Sequence, residues 1–221
     1  MQTTDLEAAA SGFFSAQARG QPKAARTRAR LMDAAMTLFA RDGFEGASVN
    51  EITRLADVAN GTFYSHFRDR DAMAEAVALG MAEAIAARMA AAMSDLTDAA
   101  ERVALATRSF IDFAARRPDF GRTLFRAAFA FPHMRQGVIR YVEADIARGV
   151  DQGLFHARQD EMLLTAFGSI TLGALNARLE GAGPEAGCRA AELQLLMLGA
   201  DPKVALAAAW REVDALPIDI D

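Results

Sequence analysis

The residues best suited to a chemical role lie in one nine-residue stretch, ANGTFYSHF at positions 59–67. A glycine, four polar residues and three aromatic rings share it, a mixture that neither an ordinary surface helix nor a buried one needs. In a helix Gly61 costs about 1 kcal/mol relative to alanine. Phe63 and Phe67 are four residues apart and share one face, with Gly61 and Ser65 opposite them. The pattern predicts a short helix that buries two phenylalanines and offers a low polar face to a flat partner.

Two preceding helices are predicted to position this stretch. The first, beginning near residue 23, has apolar residues at helical spacing and is predicted to end at Gly43 in a left-handed conformation. Ser48 and Glu51 form the pattern of a capping box at the start of the second. Asp57 can take the left-handed conformation of the turn that follows. A helix, a tight turn and a helix with a polar face predict a helix-turn-helix, whose second helix enters the DNA major groove.

Charge is distributed unevenly along the chain. The net charge is −5, which by itself argues against nucleic acid as a partner. Residues 19–70 nevertheless hold nine basic and six acidic residues, whereas residues 73–221 hold fifteen and twenty. Because a local basic patch matters more than the total, this distribution favours DNA binding by the N-terminal region.

The whole chain is predicted to be all-α, since alanine is abundant and strand-forming runs are absent. We expect residues 1–22 to be a disordered or loosely ordered extension, or a short frayed helix, in which Phe13 and Phe14 can dock. Residues 23–72 are predicted to form the helix-turn-helix domain and residues 73–221 a helical domain. A long helix is predicted from about Asp69 to Met93. Later helices are predicted near residues 97–116, 118–131, 132–151, 159–181, 185–199 and 202–215.

Several functional classes lack their sequence signals. There is no phosphate-binding loop, no G-x-S-x-G, no H-E-x-x-H and no di-iron helix pattern, so we expect no enzyme and no cofactor. His133 and His156 have no second ligand at metal-binding spacing. The single Cys188 excludes an internal disulfide and suits the cytoplasm. The longest uncharged run, residues 162–177, is short for a membrane span of about 20 residues.

The segments ARDGFEGASVNEI and RLADVANGTFYSHFRDRDAM, within about residues 26–73, resemble the DNA-binding region of TetR-family transcriptional regulators. The resemblance implies an N-terminal three-helix helix-turn-helix domain and a C-terminal helical domain for ligand binding and dimerisation. It also implies DNA contacts by the second helix of the motif and by its flanks. The implied DNA-binding residues are Arg26, Arg28, Ser48, Ala59, Asn60, Gly61, Thr62, Tyr64, Ser65, His66 and Arg70.

Three positions depart from the family pattern. The family commonly has lysine at Asn60, glycine at Asp57 and alanine at Thr53. Loss of the lysine removes one phosphate contact, and the carboxylate of Asp57 would repel the DNA backbone. Asn60 is a candidate to read an adenine edge instead.

The C-terminal region is rich in phenylalanine, which fits core packing and also an apolar cavity between helices. Family members hold an inducer in such a cavity, so the resemblance implies a small, largely apolar effector. The candidate cavity residues are Phe110, Phe113, Phe129, Met134 and Phe167. Two apolar helices with small residues match the family's dimer interface, for which the candidates are Phe167, Ile170, Ala174, Leu193 and Leu196.

The function predicted from these patterns is a homodimeric repressor that a small molecule releases from a palindromic operator. A two-fold dimer would place two reading helices, one from each protomer, on successive major-groove faces. Two alternatives stay open. One is a helix-turn-helix-derived adaptor that acts through protein contacts, and the other is an all-helical enzyme whose chemistry no motif reveals.

Overall fold

The computed structural model describes residues 12–118, 121, 122, 124, 125, 128, 134–212 and 216. All regular secondary structure in those residues is helical, which confirms the all-α prediction. The chain divides into two compact units, one ending at Met81 and the other beginning at Ala82.

The first unit is built around the predicted helix-turn-helix. Its helices are α1 (Phe13–Gln17), α2 (Lys23–Gly46), α3 (Val49–Leu55), α4 (Asn60–His66) and the first part of α5 (Arg70–Ala92). Gly43 interrupts α2 with φ 76° and ψ 171°, so the predicted positive φ is present, but the residue forms a kink within the helix, which continues to Gly46, and not the predicted left-handed C-cap. The core is formed by the apolar faces of α2 to α5. Its fully or almost fully buried members include Leu31, Ala35, Leu38, Phe39, Ile52, Phe63, Phe67, Met73 and Val77.

Helix α1 is docked, although much of the N-terminal extension lies outside the described residues. Phe13 and Phe14 are buried, as their predicted docking requires. The carboxylate of Asp33, on α2, accepts hydrogen bonds from the amides of Phe14 (2.7 Å) and Ser15 (3.0 Å). These amides begin α1 and have no partner within it, so Asp33 supplies the cap from a neighbouring helix. A Cβ at Gly80 would lie 2.6 Å from the Phe14 ring, so only glycine leaves room for it.

The second unit contains the end of α5 and five further labelled helices. They are α6 (Ala99–Ala115), α7 (Met134–Asp151), α8 (Glu161–Leu179), α9 (Glu185–Met197) and α10 (Pro202–Trp210). Aspartates cap α6, α8 and α10, and the cap of α10 is Asp201, directly before Pro202. The predicted helix near 118–131 falls largely outside the described residues, and α10 ends five residues before the predicted boundary at 215.

The core of the second unit lies where α6, α7, α8, α9 and α10 meet. Its centre includes Val103, Ile146, Phe155, Leu195 and Leu198, each exposed by 3% or less. The loop after α7 folds Phe155 back onto Gly149, where a Cβ would lie 2.0 Å from the ring. The fold therefore needs a glycine at that point of α7.

Candidate nucleic-acid interface and effector cavity

Helix α3 begins with a complete capping box. The Glu51 amide donates to Ser48 Oγ (3.2 Å), while the Ser48 amide (3.0 Å) and hydroxyl (2.6 Å) donate to Glu51 Oε2. The two hydrogen bonds that Ser48 donates, from its hydroxyl and its amide, lower the pKa of the Glu51 carboxyl below its usual range. The predicted phosphate contacts of Ser48 are thus occupied by Glu51. The amides of Val49 and Asn50, in the first turn of α3, remain available to an anion because a first turn has no earlier carbonyls to bond.

The turn between α3 and α4 is closed from α2. Asp57 has φ 51°, and it is the only non-glycine residue with a left-handed φ in the described chain. Arg30 donates to the backbone carbonyls of Ala56 and Asp57, the latter at 3.1 Å, and lies 3.6 Å from the Asp57 carboxylate. The guanidinium therefore provides hydrogen-bond donors to the carbonyls at the C-terminal end of α3, where a positive charge is favourable.

Helix α4 has one buried face and one open face. Phe63 and Phe67 are almost completely buried and pack with their rings 5.7 Å apart. Beside this face Tyr64 is 61% exposed, and on the opposite side of the helix a Cβ added at Gly61 would meet nothing within 4 Å. The other residues predicted to contact DNA from α4 and its cap are also exposed or half-buried: Ala59, Asn60, Thr62, Ser65 and His66. The α4 residues that are predicted to contact DNA are therefore accessible from outside the first unit.

The side chain of Asn60 is engaged within the motif. Its Oδ1 accepts from the buried Thr53 hydroxyl at 2.7 Å, and its Nδ2 donates to Asn50 Oδ1 at 2.5 Å. We call these three side chains the polar bridge. It joins α3 to α4 through two of the positions that depart from the family pattern. The sequence did not reveal it because it depends on the angle at which the two helices cross.

The predicted basic contacts have different surroundings. Arg26 is exposed near the start of α2. The Arg28 guanidinium lies 4.7 Å from the centre of the Phe67 ring, and partial burial lowers its pKa. Arg70 begins α5 and lies 3.5 Å from Asp71. Arg28 is thus held against the core aromatic that also anchors α4.

The second unit contains a cavity of about 570 Å³. That volume lies in the range of sites for drug-sized molecules. Phe110 and Phe167 line it, as predicted from the sequence, whereas Phe113 is buried without lining it and lies 4.4 Å from the Arg117 guanidinium. Phe129 is outside the described residues, and Met134 begins α7. Most of the described wall is apolar, including Ala86, Met89, Leu124, Val142, Leu164 and Leu172.

Some polar residues of the wall belong to two hydrogen-bonded sets, and Tyr141, Arg148, Glu161 and Thr165 line it as well. Arg102 and Asp145 make an ion pair with Nε 2.6 Å from Oδ1. Behind the wall the fully buried Gln194 of α9 donates to the Phe167 carbonyl (3.0 Å) and to Thr171 Oγ1 (2.8 Å), and accepts from Thr107 Oγ1 (2.6 Å).

Neither polar set was predicted from the sequence. Arg102 falls between Ala99 and Val103 on the apolar face of α6, and Asp145 occupies the same kind of position beside Ile146 on α7. A charged residue within an apolar stripe is the signal that could have identified them.

The predicted dimer residues lie on α8 and α9. Leu193 and Leu196 are 39% and 37% exposed, Ile170 and Ala174 are half-buried, and Phe167 faces the cavity. Within the described chain α8 is the one helix long and apolar enough to span a membrane, and 17% of its most apolar window is buried. Helices α8 and α9 therefore leave an apolar surface that the second unit itself does not cover.

Two family models match the chain. The model of bacterial regulatory proteins of the tetR family matches residues 31–77. The model of the tetracyclin repressor-like C-terminal domain matches residues 98–211. Together they cover α3, α4 and most of the residues that line the cavity of the second unit, but not its lining residues on α5 and Met93.

Among curated proteins, the HTH-type transcriptional regulator UidR of Escherichia coli (strain K12) is 36% identical over 59 residues, which are 27% of this chain and 30% of UidR. The A-factor receptor protein of Streptomyces griseus is 39% identical over 57 residues, 26% of this chain and 21% of the receptor. The match thus spans less than a third of either relative.

Similarity to solved structures extends over most of the chain. RolR in complex with resorcinol has a TM-score of 0.73 and 25% identity, covering 88% of this chain and 98% of RolR. FadR from Bacillus subtilis in complex with stearoyl-CoA has a TM-score of 0.60 and 15% identity, covering 76% and 97%. The second likeness shows the fold alone.

Proposed function

This chain belongs to the tetR family of bacterial regulatory proteins, and from that premise we propose that it is a homodimeric repressor that a small molecule releases from a palindromic operator. It acts in the cytoplasm as a reader of DNA and carries no enzymatic activity of its own. Helices α3 and α4 form the DNA-reading surface with flanking residues of α2 and α5, and the second unit binds the effector and the partner protomer.

The open face of α4 is the observation that carries this proposal. Packing inside the chain does not require a glycine at position 61, since a Cβ there would meet open space. A glycine weakens a helix, and here no packing contact within the described part of the chain requires one. Its presence is explained if the surface of α4 must approach a flat partner closely. The adjacent side chains of Tyr64 and Ser65 and the free amides at the start of α3 supply groups for base edges and phosphates.

A second copy of the chain is the partner that the apolar surface of α8 and α9 fits best. Exposed leucines on α9 and the weakly buried α8 form an apolar surface. In a two-fold dimer this surface would pack against the same surface of the second copy. A two-fold dimer also presents two α4 helices to major-groove sites about 34 Å apart, which a palindromic operator requires.

The effector is proposed to act through α5. This helix begins at Arg70, next to the DNA-reading surface, and its last turns supply Ala86 and Met89 to the cavity wall. A ligand that prefers one position of this helix shifts the population towards dimers that do not fit the operator. Shifting occupancy from 99% to 1% takes about 5.5 kcal/mol of differential affinity. By linkage, DNA weakens ligand binding by the same factor.

RolR supports the choice of a small effector, since its structure holds resorcinol and its likeness extends over most of both chains. The cavity of this chain is several times larger than one phenol ring requires, so we propose a larger molecule of mainly apolar character.

The substitution Gly61→Ala tests the DNA-reading role, because stability should stay the same or rise while DNA affinity should fall. Chemical denaturation should show unchanged or greater stability, by up to about 1 kcal/mol, because alanine is the better helix former and the space is open. Fluorescence anisotropy with DNA from upstream of the gene, in excess competitor, should show affinity at least about tenfold weaker.

The exposed α1 position Gln17→Ala is the control, and it should leave both measurements unchanged. If Gly61→Ala binds the same DNA as tightly as the original chain, α4 is not the reading surface. If the original chain binds no DNA selectively, even after selection from random sequences, the adaptor alternative replaces the repressor.

A further inference from the structure

The ion pair of Arg102 and Asp145 is set into the wall of a mainly apolar cavity. Arg102 is 7% exposed and Asp145 is 9% exposed, and both line the cavity. They come from α6 and α7, 43 residues apart in sequence. Burial of two charges is costly, and an apolar pair of similar shape is often as stable. Packing of the unit therefore does not by itself explain why the pair is present.

The guanidinium is held in place from the side away from the carboxylate. Arg102 Nη1 donates to the carbonyls of Met93 and Leu96, the latter at 3.1 Å, while Nε donates to Asp145 Oδ1. Three hydrogen bonds fix the plane of the guanidinium, so that little orientational freedom remains to be lost when a ligand binds.

One atom of each partner stays available to a ligand. In the described part of the chain, Asp145 Oδ2 and Arg102 Nη2 form no hydrogen bond. Both residues line the cavity, and neither atom is fully buried, since the buried side-chain atoms without a partner in the described chain do not include them. The wall thus presents an acceptor and a donor that belong to one neutral ion pair.

This arrangement selects for the charge of the ligand. A carboxylate near the pair would face Asp145, and an ammonium group would face Arg102. The other charged residues of the wall, Arg148 and Glu161, are exposed to solvent, so they compensate a charge beside the buried pair only weakly. A hydroxyl group is neutral, donates one hydrogen bond and accepts another. It satisfies Oδ2 and Nη2 without disturbing the pair, while the apolar wall takes up the rest of the molecule.

We propose that Arg102 and Asp145 anchor the effector, and that the effector is a neutral, largely apolar molecule whose hydroxyl group binds this pair. The proposal rests on the proposed function for the identification of the cavity as the effector site. The hydroxyl donates to Asp145 Oδ2 and accepts from Arg102 Nη2.

Three probes with one ring system test the anchor by titration calorimetry on the full chain without DNA. They are 2-naphthol, which donates and accepts, 2-methoxynaphthalene, which only accepts, and 2-naphthoate, which is an anion. A hydrogen bond to a charged group is worth a factor of about ten to a hundred in affinity. We expect 2-naphthol to bind more tightly than either of the other probes by that factor.

Two variants remove the preference in different ways. Asp145→Asn keeps the shape and the Arg102 contact but can place an amide donor where Oδ2 was, so the preference for 2-naphthol over the ether should fall below about threefold. The double variant Arg102→Met with Asp145→Leu removes both charges together, because loss of one would leave the other unpaired. It should bind 2-naphthol and the ether about equally. Thr165→Val is the control, since it removes a cavity hydroxyl outside the pair and should keep the preference.

The anchor is overturned if the original chain binds the ether or the naphthoate as tightly as 2-naphthol. It is also overturned if none of the probes binds at its solubility limit, or if Asp145→Asn keeps the full preference. Because these titrations contain no DNA, their failure is separate from failure of the repressor proposal, which anisotropy with the operator decides.

Discussion

Replacement of Asp57 separates a backbone effect from a charge effect in the DNA-reading unit. The residue has φ 51°, a conformation that costs a non-glycine residue about 1 kcal/mol. Its carboxylate is fully exposed and lies 3.6 Å from Arg30, whose side chain is 47% exposed. Such a surface pair contributes at most a few tenths of a kcal/mol. Arg30 keeps its hydrogen bonds to the backbone carbonyls of the turn when the carboxylate is removed.

Two substitutions of Asp57 distinguish the backbone effect from the charge effect. Asp57→Asn removes the charge and keeps a side chain that tolerates the left-handed conformation, so stability should change by less than about 0.5 kcal/mol. Asp57→Gly removes the same charge and also the backbone strain. Relief of about 1 kcal/mol, less the extra chain entropy that glycine loses on folding, predicts a net gain of about 0.5 kcal/mol.

Both substitutions should raise DNA affinity equally. One negative charge about 8 Å from a phosphate contributes about 0.5 kcal/mol of repulsion in water. Removal of this repulsion should raise DNA affinity about twofold for each DNA-reading unit and about fivefold for the two units of a dimer. Anisotropy titrations at about 0.05 M and about 0.3 M salt should show the gain shrinking as salt screens it.

The reasoning fails in two recognisable ways. If Asp57→Asn leaves operator affinity unchanged at low salt, the carboxylate is not close to the DNA backbone. If Asp57→Gly lowers the free energy of unfolding by more than about 1 kcal/mol, the left-handed conformation is not the strain that we attribute to it.

Two further predictions concern hydrogen bonds of the same unit. In a double-mutant cycle on unfolding free energy, Thr53→Val and Asn60→Ala should couple by about 1 kcal/mol because each removes the same hydrogen bond, and additive effects would refute the polar bridge. The depressed pKa of Glu51 means that its contribution to stability is present above about pH 4.5 and is lost as pH falls through the folded-state pKa. Carboxyl NMR titration should find a higher Glu51 pKa in Ser48→Ala than in the original chain, and equal values would contradict the capping box.

Local sequence signals predicted most of the DNA-reading unit. The capping box needs only Ser48 and Glu51 three residues apart, and the burial of Phe63 and Phe67 follows from helical spacing. The left-handed conformation of Asp57 follows from the short turn between two helices. Each of these features is decided by residues within a few positions of one another, where pattern and conformation are closely linked.

Features that join distant elements were not predictable in the same way. Arg102 and Asp145 are brought together only when α6 packs against α7, and Gln194 reaches Thr107 across 87 residues. Periodicity shows that a position faces inward but not which residue of another helix it meets. This explains why phenylalanines suggested a cavity correctly, while its polar contacts could be read only from the packed structure.

The three departures from the family pattern do not require that DNA binding be lost. Thr53 and Asn60 hydrogen-bond to each other, so a polar residue at one position gives a structural reason for the polar residue at the other. Asp57 occupies a turn that Arg30 closes through backbone carbonyls, which are present whatever the side chain. None of these contacts covers Gly61, Tyr64 or Ser65. The substitutions therefore change how the motif is held together and how strongly it attracts phosphates, while its reading face stays open, and this favours a weaker, less salt-sensitive operator reader over an adaptor.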